Sequence, residues 1–261
     1  MYYPGWKVCV TGAGGSIGSV LVRRLVDLGA NVRGIARSEE SLLRIPSGAR
    51  QMLGSITDAS FLAEAFAGQD TVFHCAAHKH VSICEANPDE ARFNNICGTD
   101  RALYRAMRAG VNQFIFLSTD KAFEPSCVYG ETKQAGERLV IEASKMPHPM
   151  NCKIVRLCNV LDSSGSVIPI WRKQIEAGGP VTVSSPYATR YFISMEEAVT
   201  FLIGAQNMDG IGPHVPDWVK PTRIIDLARM VIAARTPYGV EIKITGMKPG
   251  EKLHETLTAK L

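Results

Sequence analysis

The chain has 261 residues, of which 46% are hydrophobic, 21% charged and 7% aromatic, and its formal net charge is +4. This is the composition of an ordinary globular protein of one to two domains, so disorder, collagen and coiled coil are excluded. Like charges do not cluster and no apolar run approaches about 18 residues, so we expect neither a nucleic-acid partner nor a membrane span.

The first half of the chain alternates two patterns. Short apolar runs predict strands at Lys7 to Thr11, Asn31 to Ala36, 71–75, 113–117 and 153–157. Helical spacing lies between them at 16–29, 58–66, 88–109 and 128–145. Strands that are apolar throughout are typical of a sheet covered on both faces, and the alternation predicts an α/β fold with a doubly wound parallel sheet.

The pattern changes after about residue 160. Glycine and proline separate short elements there, and two helices are predicted near 195–206 and 222–234. We therefore predict a main domain over residues 1–160 and a small C-terminal α/β lobe over 161–261, with chain crossings between the two. The lobe should close over the carboxyl edge of the sheet.

The seven cysteines are scattered along the chain and form no C-x-x-C pair. That spacing argues against a zinc site or a redox motif. The N-terminal sequence MYYPGWKVCV also lacks the basic and apolar regions of a signal peptide. We expect reduced thiols, no metal and a cytoplasmic protein.

The segment VTGAGGSIGS lies between the first strand and the first helix, and its Gly12, Gly15 and Gly18 form a G-x-x-G-x-x-G pattern. Such a turn brings the backbone close to a pyrophosphate, which the N-terminus of the following helix attracts. The context predicts a dinucleotide site in a Rossmann-type fold, with Ser16 and Ile17 as further cofactor contacts.

The end of the second strand bears on which dinucleotide is bound. Arg37 and Ser38 stand where an acidic residue would favour NAD, and the guanidinium of Arg37 can pair with a 2′-phosphate. Arg33 is a second candidate for this phosphate. Glu39 can still reach a ribose hydroxyl, so the prediction favours NADP and leaves NAD as the alternative.

A second motif, STDKAFEPSCVYGETK, carries Tyr129 and Lys133, four residues apart on one helix face. The ammonium of Lys133 can lower the phenol pKa of Tyr129, whose tyrosinate would then accept a proton from a sugar hydroxyl during oxidation. The pair follows a strand that ends in Ser118 and Thr119, which is typical of a dehydrogenase site.

Asp120 and Lys121 directly follow Thr119. Hydride transfer alone does not need an adjacent acid and amine, whereas elimination needs one group to remove a proton and another to protonate the leaving group. The pair therefore predicts elimination chemistry. The alternative is an Asp that caps a helix beside a surface Lys.

These motifs together resemble the extended short-chain dehydrogenase/reductases, and within them the 4,6-dehydratases of UDP-N-acetylglucosamine. The similarity covers nearly the whole chain. It runs through the segments TGAGGSIGS, HCAAHKHVSICEANPDEARFNNICGT, STDKAFEPSCVYGETK, RLCNV, SGSVIPIWRKQIEAGGPVTV, ATRYFIS and TGMKPGEKLHE. The C-terminal segments separate this branch from the hexose 4-epimerases and glucose dehydratases.

The resemblance implies roles for the matched residues. Asp120 would protonate the departing C6 hydroxyl, Lys121 would be the base at C5, Tyr129 would deprotonate the C4 hydroxyl, and Lys133 would orient the cofactor. The remaining matched positions would support or bind: Thr119 in catalysis, Ala76, Lys79 and Ser118 at the cofactor, Asn95 under the site backbone, and Lys79, Asn159, Val167, Arg190, Lys248 and Glu251 at the UDP-sugar. His74, His78 and His80 are interpreted as wall residues, not metal ligands.

Some positions depart from the family pattern. Ser55 stands where the family has an Asp near adenine, Cys158 replaces a Gly, and Lys248 replaces an Arg. The prediction is an NADP-dependent, homo-oligomeric UDP-sugar 4,6-dehydratase. A 5,6-dehydratase that forms an exocyclic enol ether and a UDP-hexosamine 4-epimerase are the alternatives, and an NADP-sensing regulator is disfavoured because Tyr129 and Lys133 are both present.

Overall fold

The computed structural model describes residues 4–147, 150–236 and 238–261. Its central layer is built from six strands: β1 Lys7–Thr11, β2 Asn31–Ala36, β3 Arg50–Leu53, β4 Thr71–His74, β5 Gln113–Thr119 and β6 Asn151–Leu157. All pair in parallel, in the order β3-β2-β1-β4-β5-β6. This order is that of a dinucleotide-binding sheet, so the predicted Rossmann-type doubly wound fold is confirmed.

Helices cover both faces of this sheet. In the first part of the chain they are α1 Ser16–Asp27, α2 Glu39–Leu42, α3 Ala59–Phe66, α4 Val81–Ala86, α5 Pro88–Arg92, α6 Gly98–Arg108 and α7 Val128–Ser144. Side chains alternate between the faces of a strand, so Val8 and Val10 pack with α1 while Cys9 packs with α3 and α6. The apolar strand runs seen in the sequence arise from this burial on both faces.

The helix predicted over 88–109 is interrupted in the structure. A π-helical turn, Phe93–Cys97, lies between α5 and α6 and buries the side chains of Asn94 and Asn95. Strand β3 was not predicted because its sequence, RQML, buries only Met52 and so has no apolar run. The short α4 was also absent from the sequence-based elements.

Among the described residues of the second part of the chain there are two small sheets and three α-helices. They are β7 Asn159–Val160, α8 Val167–Glu176, β8 Val181–Val183, β9 Thr189–Ile193, α9 Met195–Gly204, β10 Pro221–Arg223, α10 Ile224–Ala233 and β11 Ile242–Ile244. One sheet has the order β10-β9-β7 and the other β11-β8. The lobe has its own core around Trp171, whereas α9 returns to the main layer and packs with α1 through Ala198 and Leu202.

Three further observations concern classes of site. In the part of the chain that the structure describes, no helix combines the length and apolar character needed to cross a membrane. Within those same ranges, no cluster of three or more His, Cys, Asp or Glu side chains is arranged to hold a metal ion. All seven cysteines are free thiols, and only Cys97 is exposed.

Candidate active site

A cleft of about 790 Å³ opens at the carboxyl edge of the sheet. The glycine-rich turn after β1, the end of β2 and the loop after β4 line one side. The end of β5 and the start of α7 form its floor, and the other side is lined by residues 157–160, 163–167, Lys248, Pro249 and Glu251. The carboxyl ends of parallel strands thus bring the predicted dinucleotide and catalytic residues to one place.

The glycine-rich turn has the geometry that a pyrophosphate requires. Gly12 has a φ of +68°, and a Cβ there would lie 2.8 Å from the backbone of Ala76. Gly15 is the N-cap of α1 and supplies no side-chain cap, so the N-terminal end of this helix faces the cleft together with Ser16, Ile17 and Gly18. The turn therefore fits the diphosphate of a dinucleotide.

Arg37, at the end of β2, lies in the cleft wall beside His78, which the motifs did not single out as a ligand. Nη1 of Arg37 lies 3.1 Å from Nε2 of His78, and the same Nε2 lies 3.3 Å from Oε1 of Glu90. The side chain of Ser38 instead caps α2, accepting from the backbone N–H of Ser41.

Arg33 does not join Arg37. Its Nη1 donates to the backbone carbonyls of Glu64, Ala65 and Ala67 at the end of α3. The structure thus places the Nη1 of Arg33 at a helix terminus, and Arg33 does not line the cleft. Arg37 and His78 both line the cleft.

The adjacent acid and amine lie on the cleft floor. Asp120 begins a short 3₁₀ turn, Asp120–Ala122, directly after β5. Nζ of Lys121 lies 3.1 Å from Oδ1 of Asp120, which also accepts from Oγ1 of Thr119 at 2.9 Å. Oδ2 of Asp120 is buried without a hydrogen-bond partner. An unpaired buried carboxylate oxygen in a cleft is available to a ligand hydroxyl.

A second carboxylate faces the same amine. Oε1 of Glu255 lies 3.6 Å from Nζ of Lys121, and its side chain is 4% exposed. Burial by itself lowers the pKa of Lys121, but the charges of Asp120 and Glu255 outweigh it and raise the pKa above that of a free lysine. Lys121 is thus an ammonium held between two carboxylates.

Tyr129 and Lys133 also line the cleft, one turn apart on α7. Burial raises the pKa of Tyr129 to about 12, opposed by the positive charge of Lys121 and by a hydrogen bond to Thr119. Here the structure differs from the prediction that Lys133 lowers this pKa. Burial lowers the pKa of Lys133 itself to about 8, and its Nζ lies 4.1 Å from the centre of the Phe116 ring.

The floor is supported by a buried polar network. His74 bonds to Thr11 Oγ1 at 3.0 Å and to Thr99 Oγ1 at 3.1 Å, and burial lowers its pKa to about 3. Asn95 accepts from the backbone N–H of His78 at 2.7 Å and donates to its carbonyl at 2.9 Å. His74 is thus a neutral, fully buried residue that does not line the cleft, so the interpretation of it as a wall residue is corrected. Asn95 holds the backbone of the loop after β4, the position that the resemblance implies for it.

The loop at 163–166 lies against the dinucleotide side of the cleft. The backbone N–H of Ser164 donates to Oγ of Ser16 at 3.0 Å, and its carbonyl accepts from Nζ of Lys79 at 2.9 Å. Ser16 and Lys79, both predicted ligands, line the cleft and also contact the loop at 163–166. The hydroxyl of Ser118 is different, because it donates to the buried carboxylate of Glu137 at 2.6 Å.

The predicted UDP-sugar residues divide into two groups. Asn159, Val167, Lys248 and Glu251 line the cleft, as does Ser55 at the opposite end. Arg190 lies outside that lining: its Nη1 donates to the carbonyl of Leu253 at 3.1 Å, and its Nε lies 3.8 Å from Glu255. The structure therefore places Arg190 behind the catalytic pair.

Sequence reasoning missed Glu255, and it did not foresee the contact that His78 makes. His78 was assigned to the wall, although it contacts Arg37. Glu255 is the last residue of the segment TGMKPGEKLHE, and no spacing rule connects it with Lys121, 134 positions earlier. The sequence feature that could have pointed to Glu255 is its place in that C-terminal motif, four residues after the predicted ligand Glu251.

The whole chain is similar to proteins of known class. A family model described as polysaccharide biosynthesis protein matches residues 8–261. The capsular polysaccharide biosynthesis protein CapD of Staphylococcus aureus is 36% identical over 97% of this chain, which spans 45% of that relative's length. The UDP-N-acetylglucosamine 4,6-dehydratase (inverting) of Campylobacter jejuni is 32% identical, covering 96% of this chain and 77% of the relative.

Epimerases are also among the relatives. The UDP-glucose 4-epimerase of Rickettsia conorii is 30% identical over 96% of this chain and 76% of its own length. Among solved structures, Pen from Bacillus thuringiensis superimposes with a TM-score of 0.92 at 30% identity, covering 98% of this chain and 83% of Pen. These relatives place the chain in the class of nucleotide-sugar dehydratases and epimerases.

Proposed function

Because this chain belongs to the polysaccharide biosynthesis protein family, a dehydratase branch of the extended short-chain dehydrogenase/reductases, we propose that it dehydrates UDP-N-acetylglucosamine or a close relative. The observation that carries the proposal is the ion pair of Asp120 and Lys121 on the cleft floor, 3.1 Å apart and beside Tyr129. An acid and a base next to an oxidation site are what elimination requires.

The cofactor is proposed to lie along the glycine-rich turn, with its pyrophosphate at the N-terminus of α1 and with Lys133 on the ribose. When bound, a nicotinamide cofactor supplies the reversible acceptor for the C4 hydride. Arg37 at the end of β2, beside His78 from the loop after β4, supports NADP as the cofactor. A 2′-phosphate would find a guanidinium there and no acidic residue in the position typical of NAD sites.

Tyr129 removes the proton of the C4 hydroxyl as C4 becomes a ketone. Its pKa of about 12 falls when positive charge is close, and Lys121 already acts in that direction. Ketone formation acidifies the hydrogen at C5. Oxidation at C4 therefore prepares the substrate for the acid and base that lie next to Tyr129.

Elimination follows from one proton shift within the ion pair. A proton moves from Nζ of Lys121 to Asp120, across 3.1 Å, leaving a neutral amine and a carboxylic acid. The amine takes the C5 proton, the C5–H electrons form the C5–C6 double bond, and the C6–O bond breaks. Asp120 gives its proton to the departing hydroxide, so one water leaves and charge is conserved.

One alternative uses the same residues and a second uses only some of them. A 5,6-dehydratase would return the hydride to C4 instead of C6, and a 4-epimerase would need Tyr129 and the cofactor without the acid and base. Relatives of both the dehydratase and epimerase class exist. The buried, unpaired Oδ2 of Asp120 favours elimination, because an epimerase has no leaving group to protonate.

Mass spectrometry of UDP-N-acetylglucosamine incubated with the protein and NADP tests the proposal. We expect a product lighter by one water, with little net consumption of cofactor because the hydride returns to the sugar. An unchanged mass together with a new epimer would replace the dehydratase by a 4-epimerase. Unchanged substrate with both NADP and NAD would overturn the activity altogether.

A further inference from the structure

The C-terminal segment, residues 248–261, docks on the loop that carries the catalytic pair. Oγ of Ser126 donates to the carbonyl of Gly250 at 3.0 Å, and Nζ of Lys252 donates to the carbonyl of Phe123 at 3.0 Å. These contacts bring Glu255 to the back of the 3₁₀ turn. The segment is therefore held against the catalytic loop independently of Glu255.

The lobe fixes the same segment from its other side. The backbone N–H of Thr189 donates to the carbonyl of Leu253 at 3.0 Å, and Oγ1 of Thr189 bonds to Nδ1 of His254 at 2.9 Å. Arg190 adds its ion pair to Glu255 at 3.8 Å. Glu255 is thus anchored between Arg190 and Lys121, with both neighbours of opposite charge.

The carboxylate of Glu255 is nearly fully buried, and only one of its two oxygens has a partner. Oε1 faces Nζ of Lys121 at 3.6 Å, whereas Oε2 has no hydrogen-bond partner. Burying an ionised carboxylate is costly unless nearby positive charge compensates for it. Lys121 and Arg190 supply that charge, so the side chain is held in place by the catalytic amine itself.

We propose that Glu255 is a positioning residue for elimination: it holds the Lys121 amine toward C5 and stabilises the ammonium formed when that amine takes the C5 proton. This inference rests on the proposed function. During elimination Asp120 is protonated and loses its hold on Lys121, and Glu255 then remains as the ionised partner. A buried carboxylate behind a catalytic base acts in the same way in Ser-His-Asp sites.

The charged and titratable groups around Lys121 are few. Asp120 lies on its own turn, Tyr129 comes from α7 and Glu255 from the C-terminal segment. The thiols of Cys127 and Cys158 also lie within its electrostatic reach. Removing the charge of Glu255 should therefore lower the pKa of Lys121 while Asp120 still holds it.

The test compares Glu255→Gln, Glu255→Asp and Lys252→Met. Lys252→Met breaks another contact of the C-terminal segment with the catalytic loop and serves as the structural control. We expect solvent-deuterium exchange at C5 to fall about tenfold or more in Glu255→Gln, with KM and cofactor reduction nearly unchanged. Glu255→Asp should recover part of the loss, and Lys252→Met should lower only thermal stability.

A second measurement does not depend on turnover. Lys121 is labelled with acetic anhydride across pH and quantified by peptide mass spectrometry, since only the free amine reacts. We expect the labelling midpoint to move to lower pH in Glu255→Gln and to stay in place in Lys252→Met. Equal midpoints, or equal loss of C5 exchange in both variants, would overturn the role of Glu255. Absence of water loss in wild type would overturn the proposed function instead, and the labelling result would still decide whether Glu255 controls Lys121.

Discussion

Two lysines lie on the floor of the same cleft in opposite surroundings. Lys121, on the 3₁₀ turn after β5, faces two carboxylates whose charges raise its pKa. Lys133, on α7, lies over the Phe116 ring, and burial lowers its pKa to about 8. The difference indicates a division of labour: an ion network for moving protons at the sugar, and a weakly compensated cation for orienting a cofactor.

We expect the largest effect from substitutions in the ion network around Lys121. Lys121→Ala and Asp120→Asn should lower dehydration about a thousandfold, a large general acid–base effect, while C4 oxidation continues. Reduced cofactor should therefore accumulate on the protein, visible by its absorbance. Lys173→Ala, an exposed lysine on α8, is the control. Wild-type dehydration in both site variants would mean that the pair is structural.

Tyr129 lies one helical turn from Lys133 on α7 and within the electrostatic reach of Lys121. Tyr129→Phe keeps the ring and removes the proposed C4 base, so we expect turnover to fall by about a hundredfold. Nucleotide binding, measured by calorimetry, should be nearly intact. In contrast to the Lys121 variant, no reduced cofactor should accumulate, because the block precedes oxidation. Activity within a few-fold of wild type would remove Tyr129 from the mechanism.

The third prediction concerns the choice of cofactor and the side chain of Arg37. Losing a charge-assisted bond to a 2′-phosphate costs about 1.5–3 kcal/mol, so Arg37→Ala should weaken NADP binding by roughly tenfold to a hundredfold. NAD binding should change little. Titration of both dinucleotides into cofactor-free wild-type and variant protein measures this. Tighter NAD than NADP binding by the wild type would contradict the cofactor proposal.

The surroundings of Lys133 predict a smaller effect on stability. The pKa of Lys133 is about 8 in the folded state. In the unfolded chain it is that of a free lysine, about 10.4. Between these values the unfolded state holds more protons, so raising the pH favours folding. Lys133→Met should remove about 1–3 kcal/mol of this pH dependence, seen as the difference between wild-type and variant denaturant curves. A constant difference across that pH range would contradict it.

Much of this arrangement was predictable because local rules determine it. The strands of the central sheet have continuous apolar runs, the glycine spacing places the turn, and Tyr129 and Lys133 share a face through helical periodicity. The edge strand β3 was missed because one buried residue makes no pattern. The helix over 88–109 was predicted as continuous because a π-helical turn leaves no periodic gap in the sequence.

Other parts of the site depend on tertiary contacts that spacing does not encode. Arg33 carries the right charge near the right strand, but the carbonyls at the end of α3 occupy it. Arg190 lies in a motif of the substrate lobe, yet its guanidinium faces the C-terminal segment. Glu255 reaches Lys121 only because that segment crosses back to the sheet. The positions of all three side chains depend on contacts between segments that are far apart in the sequence.

In the proposed reaction the hydride taken from C4 returns to C6 after water has left. UDP-N-acetylglucosamine carrying deuterium at C4 tests this in a single NMR experiment on the product. We expect deuterium in a new C6 methyl group and a ketone at C4. Deuterium retained at C4 would contradict it: with loss of water the protein would be a 5,6-dehydratase, and without loss of water a 4-epimerase.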